Sequence, residues 1–186
     1  MPLSEPAARE PLHTRVIEMR GYIRDDGLWD IEGRLTDNKS YGFDGGFRGW
    51  VEPETPVHDM WIRLTVDDDL VIRACEASTD HHPYEICPGI TPAFGALAGI
   101  RIGVGWMREV RQRVGGRKGC THLVEMLAQL GTVAYQTHVA KRRVKGKPAP
   151  DPDKPKRKPL AIDTCHAMAS DGPVVKSRFP DFYTGN

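Results

Sequence analysis

Two stretches of strict alternation constrain this chain more than any other feature. From Arg15 to Ile23, Ile17, Met19 and Ile23 fall on one side, and Glu18, Arg20, Tyr22 and Arg24 on the other. After Asp25-Asp26-Gly27, the residues Trp29, Ile31 and Leu35 alternate with Asp30, Glu32 and Arg34. A period of two puts successive side chains on opposite faces of an extended strand, so this is a β-hairpin with one buried face. The pattern recurs: Met60, Ile62, Leu64 and Val66 alternate with Trp61, Arg63 and Thr65, Asp67-Asp68-Asp69 turns the chain, and Leu70 to Ala77 returns it. Two hairpins supply four antiparallel strands with one apolar face, which must be covered.

The cover follows in the chain. Thr91-Pro92 reads as a helix start, with Phe94 and Leu97 three apart. Trp106, Val110 and Val114 recur every four residues up to Gly115-Gly116, and Thr121 opens a longer helix with the stripe Leu123, Leu127, Leu130 and Ala134. A shorter segment, Leu160 to Ser170, reads as a last helix ended by Gly172 and Pro173. Strands first and helices after is an α+β order: an antiparallel sheet of two β-hairpins covered on one face by three to four C-terminal helices. Residues 1–186 read as a single domain. Residues 38–56, rich in Gly, Asp and Pro, form a long loop, and the basic, Pro-rich run 141–159 reads as a flexible linker dispensable for folding.

Composition excludes several classes. A net charge of +1 lacks the imbalance of a nucleic-acid binder, and the only basic run has no interleaved aromatics. No run of 18 apolar residues spans a membrane, and the first 20 residues show no apolar leader segment. Four cysteines in 186 residues are too few for a disulfide scaffold, so reduced thiols and a cytoplasmic protein are expected. A homo-oligomer stays open.

The residues that carry chemistry are scattered over the loops. Cys120 follows GGRKG at the mouth of the long helix, where free backbone N–H groups and Lys118 favour a thiolate, and His122 stands two residues on. The junction DHHPYEICP concentrates Asp80, His81, His82, Tyr84 and Cys87. His58-Asp59 opens the second hairpin, and either side chain could enter a shared site. Cys165-His166 lies beyond the basic run. Cys75, inside a strand, is structural. No Cys-x-x-Cys, His-Glu-x-x-His or phosphate-binding glycine loop is present. Cys87 and Cys120 are expected to meet at one end of the sheet, with His58 or Asp59 beside them.

The segments HDMWIRLTVDDDLVIRACEA, Cys87-Pro88, GCTHLVEML and Cys165-His166, with PLHTR, RDDGLWDIEG and DGPVV, resemble a family of bacterial proteins defined only as a domain of unknown function. The resemblance covers nearly the whole chain. Members of that family often accompany genes of acyl-CoA and aromatic catabolism, so the resemblance implies an aromatic or acyl substrate. Residues 57–140 are also distantly similar to iron–sulfur scaffold proteins of the NifU/IscU type. Those proteins draw cluster thiolates from a loop before a hairpin strand, from the loop after it and from the start of a late helix. Cys87 and Cys120 match the second and third positions, but Val57-His58 occupies the first, and Cys87 follows Ile86 instead of a glycine. A mononuclear zinc or iron site of His58 or Asp59 with Cys87 and Cys120, and with His122 as a candidate further ligand, therefore fits better than a three-thiolate cluster.

The combined expectation is an enzyme of lyase or hydrolase type acting on a small molecule. Cys87, Cys120 and His58 or Asp59 would hold the metal, His122, Asp80 or Tyr84 would serve as acid and base, and Phe43, Phe47 and Trp50 would cover the pocket. The alternative is a non-catalytic iron–sulfur or zinc carrier.

Overall fold

A computed structural model describes residues 3–144 and 158–185. They fall into two compact units, residues 1–145 and 146–186.

The first unit is built on the two hairpins. Strands β1 (His13–Ile23) and β2 (Trp29–Lys39) pair antiparallel, as do β5 (Pro56–Val66) and β6 (Ile72–His81). β2 also pairs with β5, giving one four-stranded sheet in the order β1-β2-β5-β6. The register aligns the apolar stripes: Ile17, Leu35 and Met60 are neighbours in one row, and Ile31 and Leu64 in another. Leu35, Ile31, Leu64 and Met60 are at most 1% exposed.

The segment expected as a loop is partly ordered into a small hairpin. β2 runs on to Lys39, and β3 (Phe43–Asp44) pairs with β4 (Trp50–Val51) around a 3-10 turn, Gly46–Arg48. Gly46 and Gly49 hold positive φ values of 65° and 68° at that tip, a region that glycine enters without steric cost.

Helices cover the apolar face. α1 (Trp106–Val114) buries Trp106, Val110 and Val114, and α2 (Thr121–Val144) buries Leu123, Met126, Leu127 and Leu130. The segment expected as a helix from Thr91 is a 3-10 stretch, Cys87–Leu97. Pro92 inside it has no N–H to give, and the Thr91 hydroxyl bonds back to the Pro88 carbonyl instead of capping. α2 passes the expected start of the basic linker: residues 141–144 are helical, because Lys and Arg are good helix formers and no Gly or Pro intervenes before Gly146. The rest of that linker, 145–157, lies outside the described residues. Among the described residues no helix is long and apolar enough to cross a membrane.

In the second unit the helix expected over Leu160–Ser170 is a set of turns with a 3-10 piece, His166–Met168. α3 (Pro173–Arg178) starts where an end was expected, because Gly172 is its N-cap and Pro173 its first residue. Proline is preorganised for that position.

The other face of the sheet is open and charged. Arg63 bridges Glu32 (2.7 Å) and Glu76 (3.3 Å), and Arg34 binds Asp59 with two hydrogen bonds while lying over the Trp61 ring.

Candidate functional site

At one end of the sheet the buried stripe turns polar. The stripe of β2 reads Trp29, Ile31, Gly33, Leu35 and then Asp37, and that of β5 reads Val66, Leu64, Ile62, Met60 and then His58. In β1, Arg15 is the stripe residue beyond Ile17. The register sets Arg15 opposite Asp37 and Asp37 opposite His58, so one row across three strands carries a guanidinium, a carboxylate and an imidazole on the helix-covered face.

Asp37 is the centre of this row, and it is 3% exposed. Arg15 grips it with both arms of the guanidinium, Nε to Oδ1 and Nη2 to Oδ2, each at 2.7 Å. His13 Nε2 lies 3.0 Å from Oδ1, and His58 Nδ1 2.9 Å from Oδ2. Each carboxylate oxygen thus has two nitrogen partners, which fills its ordinary acceptor capacity. Burial pushes the Asp37 carboxyl up, but the Arg15 hydrogen bonds and charge, with the His13 contact and the His58 charge, outweigh it and leave the group at about 2.

The start of α2 closes the site from above. The His122 ring centroid lies 4.1 Å from that of His58, and Cys120 Sγ is 3.9 Å from His122 Nδ1. Arg15 also reaches Glu125 on α2 at 3.5 Å. Burial, the neighbouring His122 and Arg15 lower the His58 pKa against the pull of Asp37. Burial and Arg15 lower that of His122 against Asp37 and Glu125. Both rings are therefore neutral near pH 7 and carry a free nitrogen lone pair. Asp37, His58 and His122 each present one ligand atom within 4.8 Å of the others, the arrangement of a metal-capable triad.

The structure divides the expected site residues. His58 and His122 come together, and Cys120 touches His122. Asp59 does not join them: neighbours on a strand point to opposite faces, and its carboxylate is held by Arg34 on the open face at 2.9 and 2.7 Å. Asp80 is also on the open face, where it lines a shallow cleft with Trp61, Arg63 and Glu76. Tyr84 is exposed and lines a separate cleft of about 600 Å³ with Phe43, Phe47, Val57 and Ile86, while Trp50 stays outside that lining. Cys87 opens the 3-10 stretch, half-buried, with its N–H bonded to the Tyr84 carbonyl. Among the described residues no metal-capable group of three includes Cys87, Asp59 or Asp80. Lys118 turns its ammonium to the Gln112 carbonyl at 3.2 Å. Cys165 is exposed in the second unit.

Asp37, Arg15 and His13 are missing from the sequence-based set. Their signal is parity: each occupies a stripe position where an apolar residue is expected.

A family model described as a protein of unknown function, DUF2889, matches residues 13–136. The chain belongs to the DUF2889 family. The matched span opens at His13 and contains Arg15, Asp37, His58, Cys120 and His122, so the whole polar row and its cover lie within the DUF2889 region. The exposed Cys165 lies outside it. No curated protein and no solved structure matches the chain. The chain is a mixed α+β fold with a four-stranded antiparallel sheet, and neither comparison supports the finer likeness to NifU/IscU scaffolds.

Proposed function

We propose that this DUF2889 protein is an acid–base enzyme of lyase or hydrolase type that acts on a small molecule at the polar end of the sheet. The observation that carries this reading is the buried Asp37 carboxylate bonded to His58 Nδ1 at 2.9 Å, with Arg15 fixing the carboxylate in place. A carboxylate acceptor at Nδ1 requires the proton to sit there and leaves Nε2 as the basic nitrogen. Burial keeps the resting ring neutral, so it can accept a proton from water or from an acidic C–H. Asp37 then stabilises the imidazolium that forms. His122 and Cys120 supply a second imidazole and a thiol beside it, and the first amides of α2 offer donors to a developing oxyanion.

A second reading rests on the 4.8 Å triad and makes Asp37, His58 and His122 ligands of a zinc or iron ion. Neutral imidazoles suit it. The full complement of nitrogen partners on Asp37 does not, because an ion would have to displace Arg15, His13 or His58 from an oxygen.

The test is a panel of small acyl and aromatic esters, thioesters and hydroxy compounds, run on protein stripped of metal and on protein reloaded with zinc or iron. The acid–base reading expects turnover in the stripped protein that falls about 100-fold or more in His58→Ala, the scale of a lost general base. Turnover only after reloading, with metal content lost in His58→Ala and His122→Ala, supports the second reading. Turnover that survives both substitutions contradicts the site.

A further inference from the structure

β1 is an edge strand of the sheet. It stands at one end of the sheet order, and among the described residues no other segment bridges to it. The opposite edge is treated differently: the β6 pairing carries register irregularities, the 3-10 stretch packs against β6, and Ile72 bonds to Ile100 and Gly99. Residues 13–23 hold no Pro, no Lys and no bulge, three of the protections an edge can carry; their charges are Arg15 on the helix-covered face and the Glu18–Arg20 pair on the open face, and Val16, Tyr22 and Ile23 are 54, 41 and 43% exposed.

The backbone fixes which residues offer free hydrogen-bonding groups. Arg24 donates to Leu28 and Ser40 donates to Leu12, so the even-numbered residues along β1 are those bonded toward β2. In an antiparallel ladder alternate residues face alternate neighbours. Arg15, Ile17, Met19, Gly21 and Ile23 therefore turn their N–H and C=O groups outward.

We propose that this edge pairs antiparallel with the same edge of a second copy of the chain, with the two-fold axis at Met19. In that register Met19 meets Met19, Ile17 meets Gly21 and Arg15 meets Ile23, and every outward N–H and C=O from Arg15 to Ile23 finds a partner. The side chains on the open face, Val16, Glu18, Arg20 and Tyr22, form a self-complementary series. Glu18 of each copy meets Arg20 of the other, and Val16 meets Tyr22. These are the pairs without direct backbone bonds, where side chains approach closest. A slip of one residue would instead place Glu18 against Glu18, or Arg20 against Arg20, at the axis. On the other face α2 lies over β1 and β2. With strands about 4.8 Å apart, the α2 helices of the two copies fall about 10 Å apart, a normal packing distance. Pairing also sets Ile23 of the second copy beside Arg15, the residue that clamps Asp37.

The experiment measures mass in solution by light scattering, across a dilution series, for the full chain and for Glu18→Arg and Arg20→Glu. The wild type is expected at twice the 20.8 kDa chain mass. Each single variant places like charges opposite one another twice and should weaken the dimer by about tenfold or more. Mixing the two variants makes every cross-strand pair opposite again and should restore the dimer. Restoration requires both variants to be folded, so misfolding cannot imitate it. A monomeric wild type, single variants that dimerise as tightly as wild type, or a mixture that stays monomeric would each overturn the proposal.

Discussion

Replacing Asp37 by Asn should cost this protein stability in a way that depends on pH. The substitution keeps the shape but removes the charge that Arg15, His13 and His58 converge on. Asp37 sits at about 2 in the fold against an ordinary 3.8. A depression of this size contributes about 2 kcal/mol of folding stability. The sign follows from linkage. A lowered carboxylate pKa stabilises the fold above the unfolded value, and that stabilisation drains away as pH falls through the folded value. It is therefore complete at pH 5 and above, and is lost between about pH 4 and pH 2. Breaking a buried pair by removing one partner costs about 3–5 kcal/mol, and Arg15, one-third exposed, recovers part of this by hydration. The expected deficit of Asp37→Asn at pH 7 is thus about 2–4 kcal/mol. The assay is urea unfolding of both proteins followed by tryptophan fluorescence, since Trp29 and Trp106 are buried in the core. Other lowered carboxylates, such as Asp67, titrate in both proteins and cancel in the difference. A deficit that stays constant from pH 5 to pH 2, or no deficit at pH 7, would refute the reasoning.

Two further outcomes follow from packing. Gly21→Ala should destabilise by about 1–3 kcal/mol in a thermal melt, because the added methyl meets the Thr137 hydroxyl and the Cβ and methyl behind it, so a rotamer change gives no relief. Burial, with a smaller push from Glu76, raises the Cys75 thiol to about 12. Cys75 should therefore be the slowest to react with a thiol reagent in native protein and exposed Cys165 the fastest, as mass mapping would show. Cys75→Ser should cost about 1–3 kcal/mol and leave the cluster of Asp37, His58 and His122 unchanged.

The sheet was legible because period-two alternation is a local signal that survives without knowledge of partners. The same holds for the stripes of α1 and α2. What needed the fold was register. Asp37 continues the stripe of β2 and His58 that of β5, but only the pairing of those strands shows that the two positions are neighbours. His58 and Asp59 looked interchangeable as sequence neighbours, yet the strand sends them to opposite faces, one to the cluster and one to Arg34. Element order links Cys87 and Cys120 only through the loops they occupy: the fold sets Cys87 at the start of the 3-10 stretch and Cys120 beside His122. The 3-10 stretch from Cys87 escaped because Pro92 reads equally well as the first residue of a helix and as the interior of a tighter turn.

The most direct test of the site is the protonation state of its two central histidines. A pH titration followed by long-range nitrogen–proton NMR reports both the pKa and the tautomer of each ring. His58 is expected to carry its proton on Nδ1, with Nε2 free. His58 and His122 should both be neutral at pH 7, each titrating below the ordinary 6.5, and Asp37→Asn should lower His58 further by removing the charge that raises it. A His58 protonated on Nε2 alone, or a cationic His58 at pH 7, would contradict this assignment.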